Sequence, residues 1–221
     1  MSIKEQHSFW GSLSPLGGLS GAGLLIMSSA RLSWAVTTAL GIFWVYGLTS
    51  FAFSFLLSET GRKFLPKLGR IHIFTCMASF FGSVYLLLFW ILCPYAAYEV
   101  LVPLLLIPLF CSGSGTFERI VSLSDSHTAD VFDLISDAVS QAAILAVLLI
   151  VFSIIREPLS YCSLSFPGTS QGMVVIMYFK AGSLFPMEIF AASAGALLLL
   201  GYFICLYQYS KSVFFPGEDE K

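Results

Sequence analysis

The sequence predicts an all-α membrane protein: six transmembrane helices in two inverted three-helix repeats, with the first and fourth spans broken. Three observations carry that prediction. The composition is too apolar for a soluble surface, four stretches are long enough to cross a bilayer, and a glycine-rich pattern recurs in the second half. Of 221 residues, 57% are hydrophobic and 11% are charged, and the mean hydropathy is +0.86. A soluble domain carries about 25% charged residues; with under half that, the chain lacks the charge to cover a globular surface. Soluble-enzyme, nucleic-acid-binding and disordered classes are excluded. A formal net charge of −2 gives a polyanion nothing to bind.

A hydrocarbon core of about 30 Å needs about 20 apolar residues at 1.5 Å each. Leu32–Leu57, Ile71–Leu92, Leu134–Ile155 and roughly Ile189–Tyr207 meet that length. Two further stretches are interrupted. Leu13–Met27 contains Gly17, Gly18, Gly21 and Gly23, and Val100–Val121 meets Cys-Ser-Gly-Ser-Gly at 111–115 and then Glu118-Arg119. Backbone in lipid must satisfy its own hydrogen bonds, so glycine breaks are expected only where protein or a cavity covers them. No segment alternates apolar and polar residues as a membrane β-strand would. The N-terminus lacks a basic region followed by a small-residue cleavage site, so no cleaved signal peptide is expected.

With six spans, Lys4, Arg62, Lys63, Lys67, Arg70, Arg119, Lys211 and Lys221 share one side, and Arg31, Arg156 and Lys180 share the other. The positive-inside bias therefore places both termini in the cytoplasm. The chain reads as one membrane domain over residues 1–221, with repeat 1 at about 13–92 and repeat 2 at about 100–207. Ser20-Gly21-Ala22-Gly23 reads like Ser112-Gly113-Ser114-Gly115. Downstream, Ser33-Trp34-Ala35-Val36-Thr37-Thr38-Ala39 reads like Ser136-Asp137-Ala138-Val139-Ser140-Gln141-Ala142. Three spans separate the copies, and an odd number inverts the second. Inverted repeats place a functional site near the midplane, between broken helices.

Cys111 is the first candidate site residue. A thiol at a glycine-rich break is a possible iron–sulfur ligand; equally, a lone buried cysteine packs as a small hydrophobe. The five cysteines are an odd count without a CxxC pair, which argues against a disulfide framework or a zinc site. Glu118 lies two helical turns beyond Cys111 and can share its helix face. Asp133 and Asp137 form an acidic stripe with Asp130 into the fifth span. They are candidates for an ion pathway with Glu118, or for helix caps. Arg156-Glu157, followed by Pro158, is expected to mark the end of the fifth span at the interface.

The stretch Ile107-Pro108-Leu109-Phe110-Cys111-Ser112-Gly113-Ser114-Gly115-Thr116-Phe117-Glu118 resembles the membrane subunits shared by Rnf electron-transport complexes and sodium-translocating NADH:quinone reductases. It is most similar to the Rnf E / Nqr D type. Asp133, Arg156-Glu157, Ala194-Gly195-Ala196 and Leu200-Gly201-Tyr202-Phe203 extend the resemblance over most of residues 13–207. The resemblance implies a subunit of an ion-translocating complex in the cell inner membrane, without catalytic activity of its own. It implies a homologous partner of opposite topology and a [2Fe–2S] cluster between them, held by two cysteines from each. Cys111 matches the fourth-span ligand. Its first-span counterpart falls at Leu19 or Ser20, neither a cysteine, and Phe110 replaces an asparagine. The implied alternatives are an atypically held cluster or a redox-inactive scaffold paralogue. From a different class, a small secondary transporter with broken midplane helices also fits the pattern.

Overall fold

The computed structural model describes residues 15–56, 67–113, 131–168, 173–179 and 188–214. They form six helices and one hairpin. The helices are α1 (Pro15–Ser28), α2 (Leu32–Leu56), α3 (Lys67–Leu92), α4 (Pro94–Gly113), α5 (Val131–Tyr161) and α6 (Ser193–Phe214). Strands β1 (Ser163–Pro167) and β2 (Met173–Tyr178) follow α5, and a 3-10 turn at Glu188–Phe190 precedes α6. Five of the helices, α2 to α6, are long and apolar enough to cross a membrane. The chain is thus a multi-pass helical membrane protein by length and composition.

Several expected boundaries move. The glycines of α1 do not interrupt it: Pro15–Ser28 is one helix of 14 residues, about 21 Å long. The segment is short rather than broken. The fourth helix begins at Pro94, six residues before the expected Val100, and runs unbroken through Cys111 to Gly113; Ser114 to Val121 lie outside the described residues. α5 passes the expected end at Ile155 and continues through Pro158 to Tyr161. The last helix starts at Ser193 rather than near Ile189, because Glu188–Phe190 coils as a 3-10 turn.

The core is a seam of small and aliphatic side chains between α1, α2, α4 and α5, with Leu24, Ile42, Val45, Tyr46, Ile107, Cys111, Ala142 and Leu149 among its buried members. The most extensive helix pairing is α2 with α5, and α4 lies against both α1 and α3. Without a hydrophobic force between helices in lipid, close approach through small residues supplies the attraction. Glycines make that approach possible: a Cβ on Gly21 would lie 2.7 Å from the Phe110 ring, and one on Gly82 would lie 2.6 Å from Cγ of Pro108. Pro108 removes a helical N–H, and Gly82 opens the facing surface of α3 for its ring. The outward faces of α3 and α6 carry exposed apolar residues, including Phe80, Leu87, Ile91, Leu197 and Leu198, as lipid-facing helices require.

The turns α1–α2 (Ser29 to Arg31) and α3–α4 (Cys93) gather at one end of the bundle with the hairpin. Trp34 Nε1 donates to Glu99 Oε2 at 3.0 Å across these turns. β1 pairs antiparallel with β2, with a register shift between Leu164 and Ser165, and β1 is the strand that packs on α2. Between α5 and β1, Cys162 adopts a left-handed φ of 50°, the conformation that commonly closes a helix. Tyr95, Tyr98, Tyr161 and Tyr178 are exposed at this end, as in the aromatic belt of a membrane interface.

The glycine contacts generate a paired prediction. On Gly41 a Cβ would lie 2.8 Å from Tyr85 Cε1 and 2.9 Å from Ile107 Cδ1, and Tyr85 is pinned by its hydroxyl donating to Thr37 O at 2.8 Å. Gly41→Ala therefore costs about 1–3 kcal/mol of overpacking and lowers the unfolding midpoint in detergent. Gly47, with nothing within 4 Å, gives the opposite sign: Gly47→Ala is neutral or stabilises by up to about 1 kcal/mol. Equal effects at the two positions would contradict the packing described.

Candidate functional site

Of the candidate site residues singled out in the sequence, Cys111 is the one whose side chain is described. Cys111 is fully buried in the last turn of α4, within the central core cluster. Its neighbour Phe110 fills the contact with Gly21, so Cys111 and Ser20 flank one α1–α4 crossing. The two helices lie side by side there, antiparallel, with Gly23 facing Leu106 one turn on. Ser20 is 8% exposed. Glu118 and Arg119 lie outside the described residues, as do the side chains of Asp133 and Asp137, whose backbones belong to the first two turns of α5. None of the five cysteines forms a disulfide. Among the described residues no group of three His, Cys, Asp or Glu could hold a metal ion.

The polar centre of the molecule is elsewhere, at Arg156 and Glu157. Both were expected to mark the end of the fifth span; each is 1% exposed, buried by protein. Consecutive helix positions diverge by about 100°, so the two side chains serve different segments. Arg156 faces the end of α1 and the approach to α6. Its Nη1 donates to Ile26 O at 2.6 Å and to Ser29 Oγ at 2.8 Å. Nε donates to Phe190 O at 2.8 Å, and Nη2 donates to Ala191 O at 3.1 Å and Ala192 O at 3.3 Å. Glu157 faces α2: its Oε2 accepts the Leu32 amide at 2.7 Å, and the hydroxyl and amide of Ser165 on β1 also bond to it.

Each charge sits where a helix dipole favours it. The last carbonyls of a helix carry negative partial charge and the first amides positive charge. Arg156 meets the carboxyl end of α1, and Glu157 meets the amino end of α2. The α1–α2 turn is buried, with Ser28 and Ser29 at 0% exposure, so water does not serve these groups. Arg31 adds a third layer. Its guanidinium lies over the rings of Trp34 and Tyr161, at 5.6 and 5.2 Å, donates to Met173 Sδ at 2.8 Å, and acts electrostatically on Glu157.

This arrangement binds protein to protein. It joins four segments distant in sequence through donors and acceptors that are all occupied by the chain itself. Sequence reasoning placed Arg156-Glu157 at a lipid–water boundary because charges usually end a span; the partners that bury the pair lie on segments distant in sequence, which no local pattern reveals. A groove between α2 and α3, lined by His72, Ile73, Cys76, Met77, Phe80 and Phe81, is open and almost wholly apolar.

Comparison with known proteins returns no matching family and no matching curated relative.

The five bonds of Arg156 make it sensitive to a change that preserves charge. Lysine is a point charge on a flexible stem and cannot reproduce the planar fork. Arg156→Lys leaves several buried carbonyls unpartnered, at about 1–3 kcal/mol for each such group. The expected result is loss of the monodisperse peak when the variant is extracted in mild detergent. Wild-type extraction and melting behaviour in Arg156→Lys would show that the clamp is dispensable.

Proposed function

We propose that the chain is a membrane subunit of an Rnf/Nqr-like, ion-translocating electron-transport complex, acting as the structural half of a pair with a homologous subunit of opposite topology. The observation that carries this reading is the placing of Cys111. The stretch that resembles the family ends a helix whose thiol is buried beside α1, the helix that bears the other glycine-rich copy. Support for an inverted repeat comes from the pairings. Helices at equivalent positions of the two halves, α1 with α4 and α2 with α5, pack on each other, as helices beside a pseudo-twofold axis in the membrane plane would. In this reading the membrane is the cell inner membrane and both termini are cytoplasmic.

The residues present do not by themselves fit a [2Fe–2S] cluster. Such clusters are held by four thiolates, whereas Cys111 is the sole cysteine on α1 or α4, and serine stands at position 20. A hydroxyl is a harder, poorer ligand for iron than a thiolate, and the Phe110 ring occupies the α1–α4 contact. No electron-transfer step is therefore assigned to this chain. Its part is to complete and orient the membrane pair, using the apolar faces of α3 and α6 against lipid and partner.

Purification of the tagged chain from native membranes in lipid nanodiscs tests the assembly. The expected result is a complex containing a second six-helix subunit of similar size together with flavin-bearing subunits, and Cys111→Ala leaves that composition intact. Recovery of the chain alone, with no flavin in the sample, would remove the electron-transport reading.

A further inference from the structure

We infer that the outer face of the β1–β2 hairpin is a lipid-contact surface, with Phe166, Val174, Ile176 and Met177 seated in the interfacial layer of the membrane at that end of the bundle. The inference rests on the chain's being a membrane protein and not on the assembly it joins.

The two faces of the hairpin differ in chemistry. In an antiparallel pair, residues directly opposite each other share a face, and the face alternates along each strand. Ser165 pairs with Val175 and Pro167 with Met173, whereas Phe166 pairs with Val174 and Leu164 with Met177. The register shift between Leu164 and Ser165 leaves Ile176 as the extra residue of a bulge in β2. The first face is turned to the protein. Ser165 is buried, its hydroxyl donates to Ser33 Oγ at 3.3 Å and it bonds Glu157, while Met173 Sδ accepts from Arg31. The second face is apolar throughout, and Phe166, Val174, Ile176 and Met177 are between 46% and 60% exposed. A sheet with one face in water does the reverse, turning apolar residues inward and polar ones outward. Polar inward and apolar outward is the order of strands that face lipid.

The hairpin also lies at the depth of the helix ends. It leaves α5 at Cys162, whose carbonyl accepts the Phe179 amide at 2.8 Å. Its far end reaches the α3–α4 turn, where Cys93 Sγ donates to Gly168 O at 3.8 Å. Tied at both ends to helix ends, the hairpin stays at their level. The apolar surface of α3 continues to that level, because Ile91 and Leu92, directly before Cys93, are 72% and 71% exposed. The exposed tyrosines of this end, Tyr178 on β2 among them, mark the same layer. From Pro158 to Phe179 the sequence holds no charged residue, where a surface kept in water would carry several. Lipid fits this face better than a docked protein does. Every residue from Ile176 to Tyr178 is exposed, so this end of β2 is open on both sides, which a fluid layer covers and a single docked surface does not.

Nitroxide labels on the full chain in lipid nanodiscs test the contact. With Cys76, Cys93 and Cys205 changed to alanine, Val174→Cys and Ile176→Cys each take one label, and Leu198→Cys on the exposed face of α6 is the reference. Oxygen, which partitions into lipid, is expected to relax both hairpin labels more than a water-soluble nickel chelate does, as at position 198. Stronger relaxation by the chelate would put the face in water and overturn the inference. Weak relaxation by both reagents would mean that protein covers the face, a second copy or another subunit, and would overturn it equally. A variant with all cysteines retained guards against loss of fold in the substituted background. Val174→Trp adds emission that phospholipids brominated on the acyl chain near the glycerol are expected to quench more than lipids brominated near the chain end. Added emission that neither lipid quenches would refute the contact.

Discussion

The structure depends on one constraint: a helix end that is buried by protein must have its terminal backbone groups bonded by protein. α1 ends that way. Its final turn is buried, and α2 starts only four residues later, so carbonyls at the end of one helix and amides at the start of the next arise together away from water. Arg156 takes the first set and Glu157 the second. Because Arg156 also gathers Phe190, Ala191 and Ala192, the same residue fixes where α6 begins. A charged pair in lipid would cost several kcal/mol for each ion. Here the backbone dipoles of four chain segments replace the hydration that is lost.

That clamp explains why the helices can pack through such small contacts elsewhere. Ends held in register let α2 and α5 run together over their buried faces, with Ala138, Ala142 and Ala146 on α5 and Ala35, Ala39 and Ile42 on α2 among the buried residues. In lipid, packing of this kind is driven by van der Waals contact rather than by water exclusion. Its strength therefore depends on how closely the backbones come. Gly21, Gly41 and Gly82 mark three places where no side chain larger than hydrogen fits without moving an aromatic ring, an isoleucine or a proline.

Much of the architecture is written in the composition. Apolar length alone located α2, α3, α5 and α6, because about 20 residues are the minimum for crossing and few other constraints produce such runs. Span ends were less legible. Pro158 was read as a terminator, yet α5 continues one turn past it to Tyr161. Gly17 to Gly23 were read as a break, yet a glycine costs only about 1 kcal/mol in a helix, and close contact with Phe110 and Leu106 offsets it. Of the candidate site, the burial of Cys111 was foreseeable from its apolar surroundings. The role of Arg156-Glu157 was not, because it depends on segments up to 130 residues away, from Ile26 to Arg156, that no local pattern reveals.

Ionisable residues inside a membrane are by default functional candidates, and that default has to be weighed against their partners. Arg156 donates five bonds to backbone and serine acceptors, and Glu157 is bonded by α2 and β1. Moving either charge during a transport cycle would expose the ends of α1 and α2 together, so these residues suit a fixed framework better than a relay. The proposed electron-transport role therefore cannot rest on the pair, although the pair belongs to the resemblance. It rests on the resemblance around Cys111, a residue on a helix held by α1 and α3. The clamp and the thiol meet α1 about one and a half turns apart: Ile26 bonds the first, and Gly21, at the middle of the helix, packs against Phe110 beside the second. A short helix bonded at its end and closely packed at its middle is a rigid strut, and rigidity at the α1–α4 crossing suits the structural part proposed for this chain.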